Sequence, residues 1–168
     1  MMMNISSLMN LISAEEEKIS TYNSYLLSRV YSTSALELNG NVTEIENYKD
    51  EFSDTLVKYE ETIKKVSKLK TILYEKNNLF KLSDGRTIQD AITQNNYLRR
   101  MKFSYENLLN YRNTTKRITE VNNSYFEVKT VNFDIDKIKE KLDEVNKIIQ
   151  NTDFEISKLN SIEFEINI

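Results

Sequence analysis

The sequence predicts a mainly α-helical protein, an elongated antiparallel bundle of about four long coiled-coil-like helices with a small β-hairpin and a C-terminal strand. The 168-residue chain has no proline and only two glycines, Gly40 and Gly85, so residues that interrupt helices are nearly absent. Apolar residues recur every three or four positions, the spacing of one helix face. With 39% apolar and 29% charged residues, the composition is typical of a chain that folds. We expect one domain, 1–168.

The first predicted helix spans about 4–38 and is followed closely by a second over about 43–78. Six apolar residues form the stripe of the first helix: Ile5, Leu8, Ile12, Ile19, Tyr22 and Leu26. Asn39-Gly40-Asn41 can adopt the left-handed conformation that ends helices. Thr43-Glu44-Ile45-Glu46 has the sequence of a capping box, which begins a helix. The short connection favours an antiparallel helical hairpin.

The second half of the chain contains two further helix signals around a strand-rich segment. Thr87-Ile88-Gln89-Asp90 follows the turn residues Asp84-Gly85 as another capping box and predicts a helix over about 87–113, with Asn95 on its apolar stripe. β-Branched and aromatic residues predict a β-hairpin over about 116–131. Asp134 can cap the last helix, about 135–160. Its heptad positions are Ile135, Ile138, Leu142, Val145, Ile149, Thr152, Ile156 and Leu159.

The tail, 161–168, alternates apolar and polar residues as a β-strand does. The apolar positions are Ile162, Phe164, Ile166 and Ile168. An unpaired strand edge recruits a partner, so we expect this strand to pair with the 116–131 hairpin or with another copy of the chain. The four apolar residues are therefore candidates for self-assembly.

The segment from Asp84 to Ile92, Asp-Gly-Arg-Thr-Ile-Gln-Asp-Ala-Ile, carries a resemblance to a known family. With the helix after it, the Lys129-Thr130-Val131 strand and the helix opened by Asp134, the chain resembles the septicolysin-like family of small bacterial helical proteins over about 60–160. The family name implies a cytolysin, and the resemblance implies no catalytic residues. The tail after Thr152 lacks the Trp of the family ending.

Two missing residue types exclude most of the chemistry expected of an all-helical enzyme. Without Cys or His there is no thiolate, no Ser-His or Cys-His nucleophile and no ordinary zinc site. Acidic residues at 15–17, 50, 51 and 54 could suggest a carboxylate metal site, but a solvated acidic run is commoner. We therefore expect no catalytic residues, no metal, no cofactor and no enzyme activity. Met1 to Ala14 lacks the features of a signal peptide, so we expect a cytoplasmic protein or one exported without such a peptide.

The charge is distributed unevenly along the chain. Lys and Arg dominate 58–117, whereas Asp and Glu dominate 1–57 and 118–168. Arg99, Arg100 and Lys102 could belong to a patch that binds nucleic acid or an anionic membrane. Arg86 could bind an anion at a helix start, but a tie from its turn to a neighbouring helix through a carboxylate is the favoured interpretation. For the patch, the acidic pI of about 5.2 favours the alternative in which basic and acidic faces pair with each other.

These observations favour a non-enzymatic helical self-assembly or scaffold protein whose partner is another copy or another protein. A membrane-active protein that inserts amphipathic helices is the first alternative, suggested by the family name. A nucleic-acid-binding protein that uses the basic middle is the second.

Overall fold

A computed structural model describes residues 1–121 and 123–166. These residues form four helices and three two-stranded antiparallel sheets, so the prediction of a mainly helical protein is confirmed. The elements are β1 (Met2–Met3), α1 (Ile5–Ser28), β2 (Thr33–Leu36), β3 (Val42–Glu46), α2 (Lys49–Leu79), α3 (Ile88–Leu108), β4 (Thr114–Thr119), β5 (Ser124–Lys129), α4 (Ile135–Asn160) and β6 (Phe164–Glu165). The chain forms two compact units, Met1–Asn77 with the described residues from Asn160 onward, and Asn78–Leu159. The expectation of one domain stays a prediction.

Helices α1 and α2 build the first unit and run antiparallel. Glu15 of α1 pairs with Lys65 of α2, and Tyr25, further along α1, donates a hydrogen bond to Glu51, near the start of α2. The partner's number falls as the position in α1 rises, which is the register of antiparallel helices. The buried apolar side chains of these helices are Ile5, Leu8, Ile12, Leu26, Val66 and Leu69. Four of them lie on the predicted stripe of the first helix.

The predicted helix over 4–38 is wrong beyond Ser28, and the predicted capping box at Thr43 is wrong as well. Strands β2 and β3 occupy this region and pair as a hairpin, with Leu36 opposite Val42. Thr33-Ser34 and Val42-Thr43 favour strand over helix, because β-branched and hydroxyl side chains have low helix propensity. Gly40 has φ of +88° and ends the hairpin turn, not a helix. Helix α2 consequently begins at Lys49 instead of near 43.

The C-terminal strand exists, but its partner differs from both partners that we expected. Strand β6 pairs antiparallel with β1 at the chain's own N-terminus, with Met3 opposite Phe164. Met1 N donates to Ile166 O at 3.0 Å, and Ile166 N donates to Met1 O at 3.0 Å. Phe164 and Ile166 are buried, so the apolar side of this strand is covered within the chain.

Helices α3 and α4 build the second unit. The capping box at the start of α3 is confirmed: Asp90 N donates to Thr87 Oγ1 at 3.0 Å, and Thr87 N donates to Asp90 Oδ2 at 3.3 Å. Asp134 caps α4 as predicted, accepting a hydrogen bond from Lys137 N at 3.2 Å. The predicted third helix extends too far, since α3 ends at Leu108. Buried positions of the two helices are Ile88, Ala91, Asn95, Val145, Ile149 and Thr152.

The predicted β-hairpin over 116–131 is confirmed, with small shifts of its ends. Strands β4 and β5 pair in regular antiparallel register from Thr114 opposite Lys129 to Thr119 opposite Ser124. Beyond the paired strands, Glu120 N donates to Asn123 O at 2.8 Å.

Candidate interaction surfaces

The base of the β2–β3 hairpin is fixed to the helices that flank it. The Arg29 guanidinium lies over the Tyr25 ring at 4.1 Å and near the Tyr48 ring at 5.1 Å from their centroids. Ser32 Oγ accepts a hydrogen bond from Tyr48 N at 3.2 Å, which joins the two ends of the hairpin. These cation–π contacts, together with the hydrogen bond between Tyr48 and Ser32, fix the base of the hairpin within the first unit.

The β2–β3 hairpin exposes apolar side chains to solvent. Every residue of β3 is exposed, and only Ala35 of β2 is partly covered. Leu36 retains 74% of its accessible surface, and Val42 and Ile45 are also exposed. From Thr33 to Glu46 the chain has three Glu and no Lys or Arg. The hairpin therefore combines unburied apolar groups with negative charge.

The β4–β5 hairpin exposes its side chains in the same way. Every residue of β5 is exposed, and only Ile118 of β4 is partly covered. Phe126 retains 67% of its accessible surface, and Tyr125 and Val128 are exposed. Val131 N donates to Asn113 Oδ1 at 2.9 Å and joins the two ends of the hairpin. The second unit thus also carries a hairpin with unburied apolar groups.

Several residues of the predicted basic patch are paired with carboxylates. Arg99 donates to Asp153 Oδ2 at 2.8 Å, and Lys102 lies 3.8 Å from Glu106. Arg100 is exposed and forms no ion pair with any described residue. In the first unit, Lys65 pairs with Glu15 and Lys70 with Glu16. Pairing within helices and between neighbouring helices thus uses much of the basic charge.

Arg86 is held by its own turn. Its backbone N–H donates to Asp84 Oδ1 at 3.0 Å, and its Nε donates to Asp84 Oδ2 at 2.7 Å. A further hydrogen bond joins the guanidinium to Gln94 of α3. The hydrogen bonds from Arg86 lower the pKa of the Asp84 carboxyl. The Arg86 guanidinium is therefore bound by the carboxylate of Asp84 and the side-chain amide of Gln94.

Glu15 is a buried carboxylate that sequence reasoning placed in a solvated acidic run. Its exposed fraction is 4%, and Oε1 accepts hydrogen bonds from Lys65 Nζ at 2.8 Å and Lys18 Nζ at 3.0 Å. The hydrogen bonds from Lys65 and then Lys18 lower the pKa of Glu15. One helix turn after Ile12, Glu15 continues the apolar stripe, and this i, i+3 spacing was the signal available in the sequence.

An open groove of about 870 Å³ lies beside this ion pair, between α1 and α2. Ile19, Ile63 and Val66 form its apolar floor, and a second ion pair, Glu16 with Lys70 at 2.5 Å, crosses it. The two helices are thus joined across the groove by charge pairs over an apolar base.

Polar contacts join the elements of the second unit. Asn95, buried on the stripe of α3, donates through Nδ2 to Asp153 Oδ1 of α4 at 2.8 Å. Ser83 donates to Glu155 through both its backbone N and its Oγ, each at 2.8 Å. These two hydrogen bonds, the backbone one first, lower the pKa of Glu155. The polar residue on the predicted stripe therefore has a partner on the facing helix.

The predicted self-assembly residues of the tail differ in their burial. Phe164 and Ile166 are buried, and the Lys76 ammonium lies 4.7 Å from the centre of the Phe164 ring. Ile162 is exposed, and Ile168 lies outside the described residues. A self-assembly role for the whole segment stays a prediction.

Two further properties concern the described part of the chain. No group of three Asp or Glu side chains in 1–121 and 123–166 is arranged to hold a metal ion. In the same residues, no helix is both long and apolar enough to cross a membrane.

By its four helices and exposed hairpins, the protein belongs to the class of mainly helical proteins that carry two-stranded hairpins. Residues 32–163 match the "Family of unknown function (DUF6847)", and the chain belongs to this family. A functionally unknown conserved protein from Corynebacterium diphtheriae has a crystal structure of similar fold, with a TM-score of 0.67, 19% identity and coverage of 98% of this chain and 100% of that chain. At that identity the likeness concerns the fold alone. No curated protein matches this sequence. The septicolysin-like resemblance stays a prediction.

Sequence reasoning missed the β2–β3 hairpin, one of the two candidate surfaces. The available signal was Asn39-Gly40 between two short segments with β-branched residues, Thr33 before it and Val42, Thr43 and Ile45 after it, and such a pair is a short-range indication of a hairpin. The same two residues also end helices, and the helical stripe before them favoured that interpretation.

Proposed function

We propose that this protein is a non-enzymatic helical scaffold that associates with copies of itself. The observation that carries the proposal is the exposure of apolar side chains on both hairpins, represented by Leu36 and Phe126. A two-stranded hairpin alone in water is marginally stable, and a partner that covers its apolar side chains stabilises it. The exposed apolar side chains therefore support the proposal of a scaffold that associates through its hairpins.

A coiled-coil-like antiparallel bundle is the helix arrangement that we propose for the assembled protein. The antiparallel register of α1 and α2 supports it, as does the heptad spacing of buried Val145, Ile149 and Thr152 on α4.

Sedimentation velocity from low to high micromolar concentration tests the proposal. We expect the weight-average mass to rise above that of the 19.8 kDa chain. A strict monomer at high micromolar concentration would contradict the proposal.

A matched pair of variants connects the association to the hairpins. Phe126 on β5 and Phe103 on α3 have nearly equal exposed fractions, 67% and 65%. Because buried aromatic side chains dominate interfaces, Phe126→Ser should raise the dissociation constant by about tenfold or more. Phe103→Ser should leave it unchanged. Equal effects of the two substitutions would show that the hairpin is not the contact.

The same preparation tests the two alternatives. Dye release from anionic liposomes would support the membrane-active alternative. A salt-sensitive gel shift that is lost on Arg99→Glu with Arg100→Glu would support the nucleic-acid alternative. Either result from a strictly monomeric protein would replace the scaffold proposal.

A further inference from the structure

We propose that the two hairpins are complementary halves of one interface, in which the β2–β3 hairpin of one copy docks face to face on the β4–β5 hairpin of a second copy. The inference rests on the proposed self-association and names the surfaces that carry it.

The first surface, the Leu36 face, belongs to the β2–β3 hairpin. Residues opposite each other on antiparallel strands project to the same side of the sheet, and so do residues two apart on one strand. Leu36 pairs with Val42, and Ser34 pairs with Glu44, so these four side chains share one face. The register shifts between Ser34 and Thr33, and the bulge there places Glu46, the partner of Thr33, outside this regular face. Leu36 and Val42 are both exposed, and Glu44 is the charged group among the four.

The second surface, the Phe126 face, belongs to the β4–β5 hairpin. The register places six side chains on this face: Thr115, Arg117, Thr119, Ser124, Phe126 and Val128. Phe126 and Val128 are exposed, and Arg117 is the charged group among the six. Within 1–121 and 123–166, Arg117 forms no ion pair. The acidic residue of β5, Glu127, pairs with Lys116 in the register and so lies on the opposite face.

The two faces match in both apolar content and charge. Each presents two large exposed apolar side chains beside one charged group, Glu44 on one and Arg117 on the other. Docking two copies of the same face would oppose like charges, which is unfavourable, whereas docking the Leu36 face on the Phe126 face opposes Glu44 and Arg117. Charge complementarity therefore selects a contact between different hairpins.

A contact between different hairpins has two consequences. It is heterologous, which means that it joins two different surfaces, and every copy carries both of them. Association therefore proceeds either to a closed ring of copies or to an open filament. Glu44 and Arg117 are both exposed, so salt screens their attraction during association, and the contact should weaken as ionic strength rises.

A charge exchange tests the pairing. Glu44→Arg leaves a copy with two positive faces, and Arg117→Glu leaves a copy with two negative faces, so each variant alone should associate about tenfold or more weakly than wild type. In an equimolar mixture, each variant supplies the face that the other needs. The mixture should regain association, and so should the double variant that carries both substitutions.

Two substitutions on helices act as matched controls, and circular dichroism verifies that all variants fold. Glu61→Arg and Arg100→Glu make the same charge changes at exposed positions outside the hairpins, and neither should alter the dissociation constant. Regained association in the mixture also shows that both altered hairpins are folded.

The outcomes separate this inference from the proposed function. A monomeric wild type would overturn the proposed function and the inference with it. A wild type that associates, with single variants that associate equally well, would overturn the inference alone. Weakened variants that neither the mixture nor the double variant rescues would also overturn it, because the loss would then not come from the charge pairing.

Discussion

Glu15 shows how one residue can join two helices. Its carboxylate is buried on the apolar stripe of α1, where an unpaired charge would be strongly destabilising. Lys65 reaches it from α2 and Lys18 from α1, and both lysines keep contact with water. The ion pair between Glu15 and Lys65 therefore fixes the register of α1 against α2, while the ammonium groups of both lysines remain partly solvated.

Replacing Glu15 tests this role. Glu15→Ala removes the acceptor shared by Lys18 and Lys65, and we expect the free energy of unfolding to fall by about 1–3 kcal/mol. Urea unfolding followed by circular dichroism measures the change. Glu17→Ala, at an exposed position of the same acidic run, is the control and should change the free energy by less than about 0.5 kcal/mol. Equal losses would contradict a special role for Glu15.

The same residue predicts a pH dependence. Its pKa in the folded protein is lowered from the ordinary value of 4.5 by hydrogen bonds from Lys65 and Lys18. The stabilisation is therefore complete above pH 4.5 and is lost as the pH falls through the lower pKa of the folded state. We expect the stability difference between wild type and Glu15→Gln to shrink over that range. A difference that stays constant down to acid pH would contradict the assignment.

At the scale of elements, the most predictable features are those that neighbouring residues determine. The capping box of α3 is read directly from Thr87 and Asp90, because both partners lie within one helical turn. The buried positions of α4 follow from its heptad spacing. The β2–β3 hairpin was missed because an Asn-Gly pair ends helices and closes hairpins through the same left-handed glycine conformation.

The α3 cap predicts a defined loss of stability. Thr87→Ala removes the Oγ1 acceptor of Asp90 N, and we expect the free energy of unfolding to fall by about 1 kcal/mol. Thr93→Ala makes the same chemical change within α3, at an exposed residue that caps nothing. Thermal unfolding should show a lower Tm for Thr87→Ala than for Thr93→Ala. The reverse order would contradict the cap.

Neighbouring isoleucines of α4 test which side of that helix is buried. Ile149 is 8% exposed and Ile148 is 46% exposed. Ile149→Ala should lower the free energy of unfolding by about 2–4 kcal/mol, because it leaves a cavity among buried side chains. Ile148→Ala should lower it by less than about 1 kcal/mol. If denaturant unfolding shows comparable losses of free energy for the two variants, Ile149 does not lie on the buried side of α4.

At the scale of the whole molecule, the proposed association links stability to concentration. If copies bind one another only when folded, mass action stabilises the folded state as concentration rises. Over a hundredfold increase in concentration we expect Tm to rise by about 3–6 °C. Differential scanning calorimetry measures this shift, which should be smaller for Arg117→Glu than for Arg100→Glu. A Tm independent of concentration in wild type would contradict self-association.

The sequence by itself determined features whose partners lie close along the chain: the apolar stripes of α1 and α4, the α3 capping box, the Asp134 cap and the β4–β5 hairpin. Their signals are periodic or local, so a few neighbouring side chains suffice to specify them. Only the tertiary structure decided that Glu15 is buried against Lys65 and that β6 pairs with β1. Those partners lie far apart in sequence, and the path of the folded chain alone brings them together.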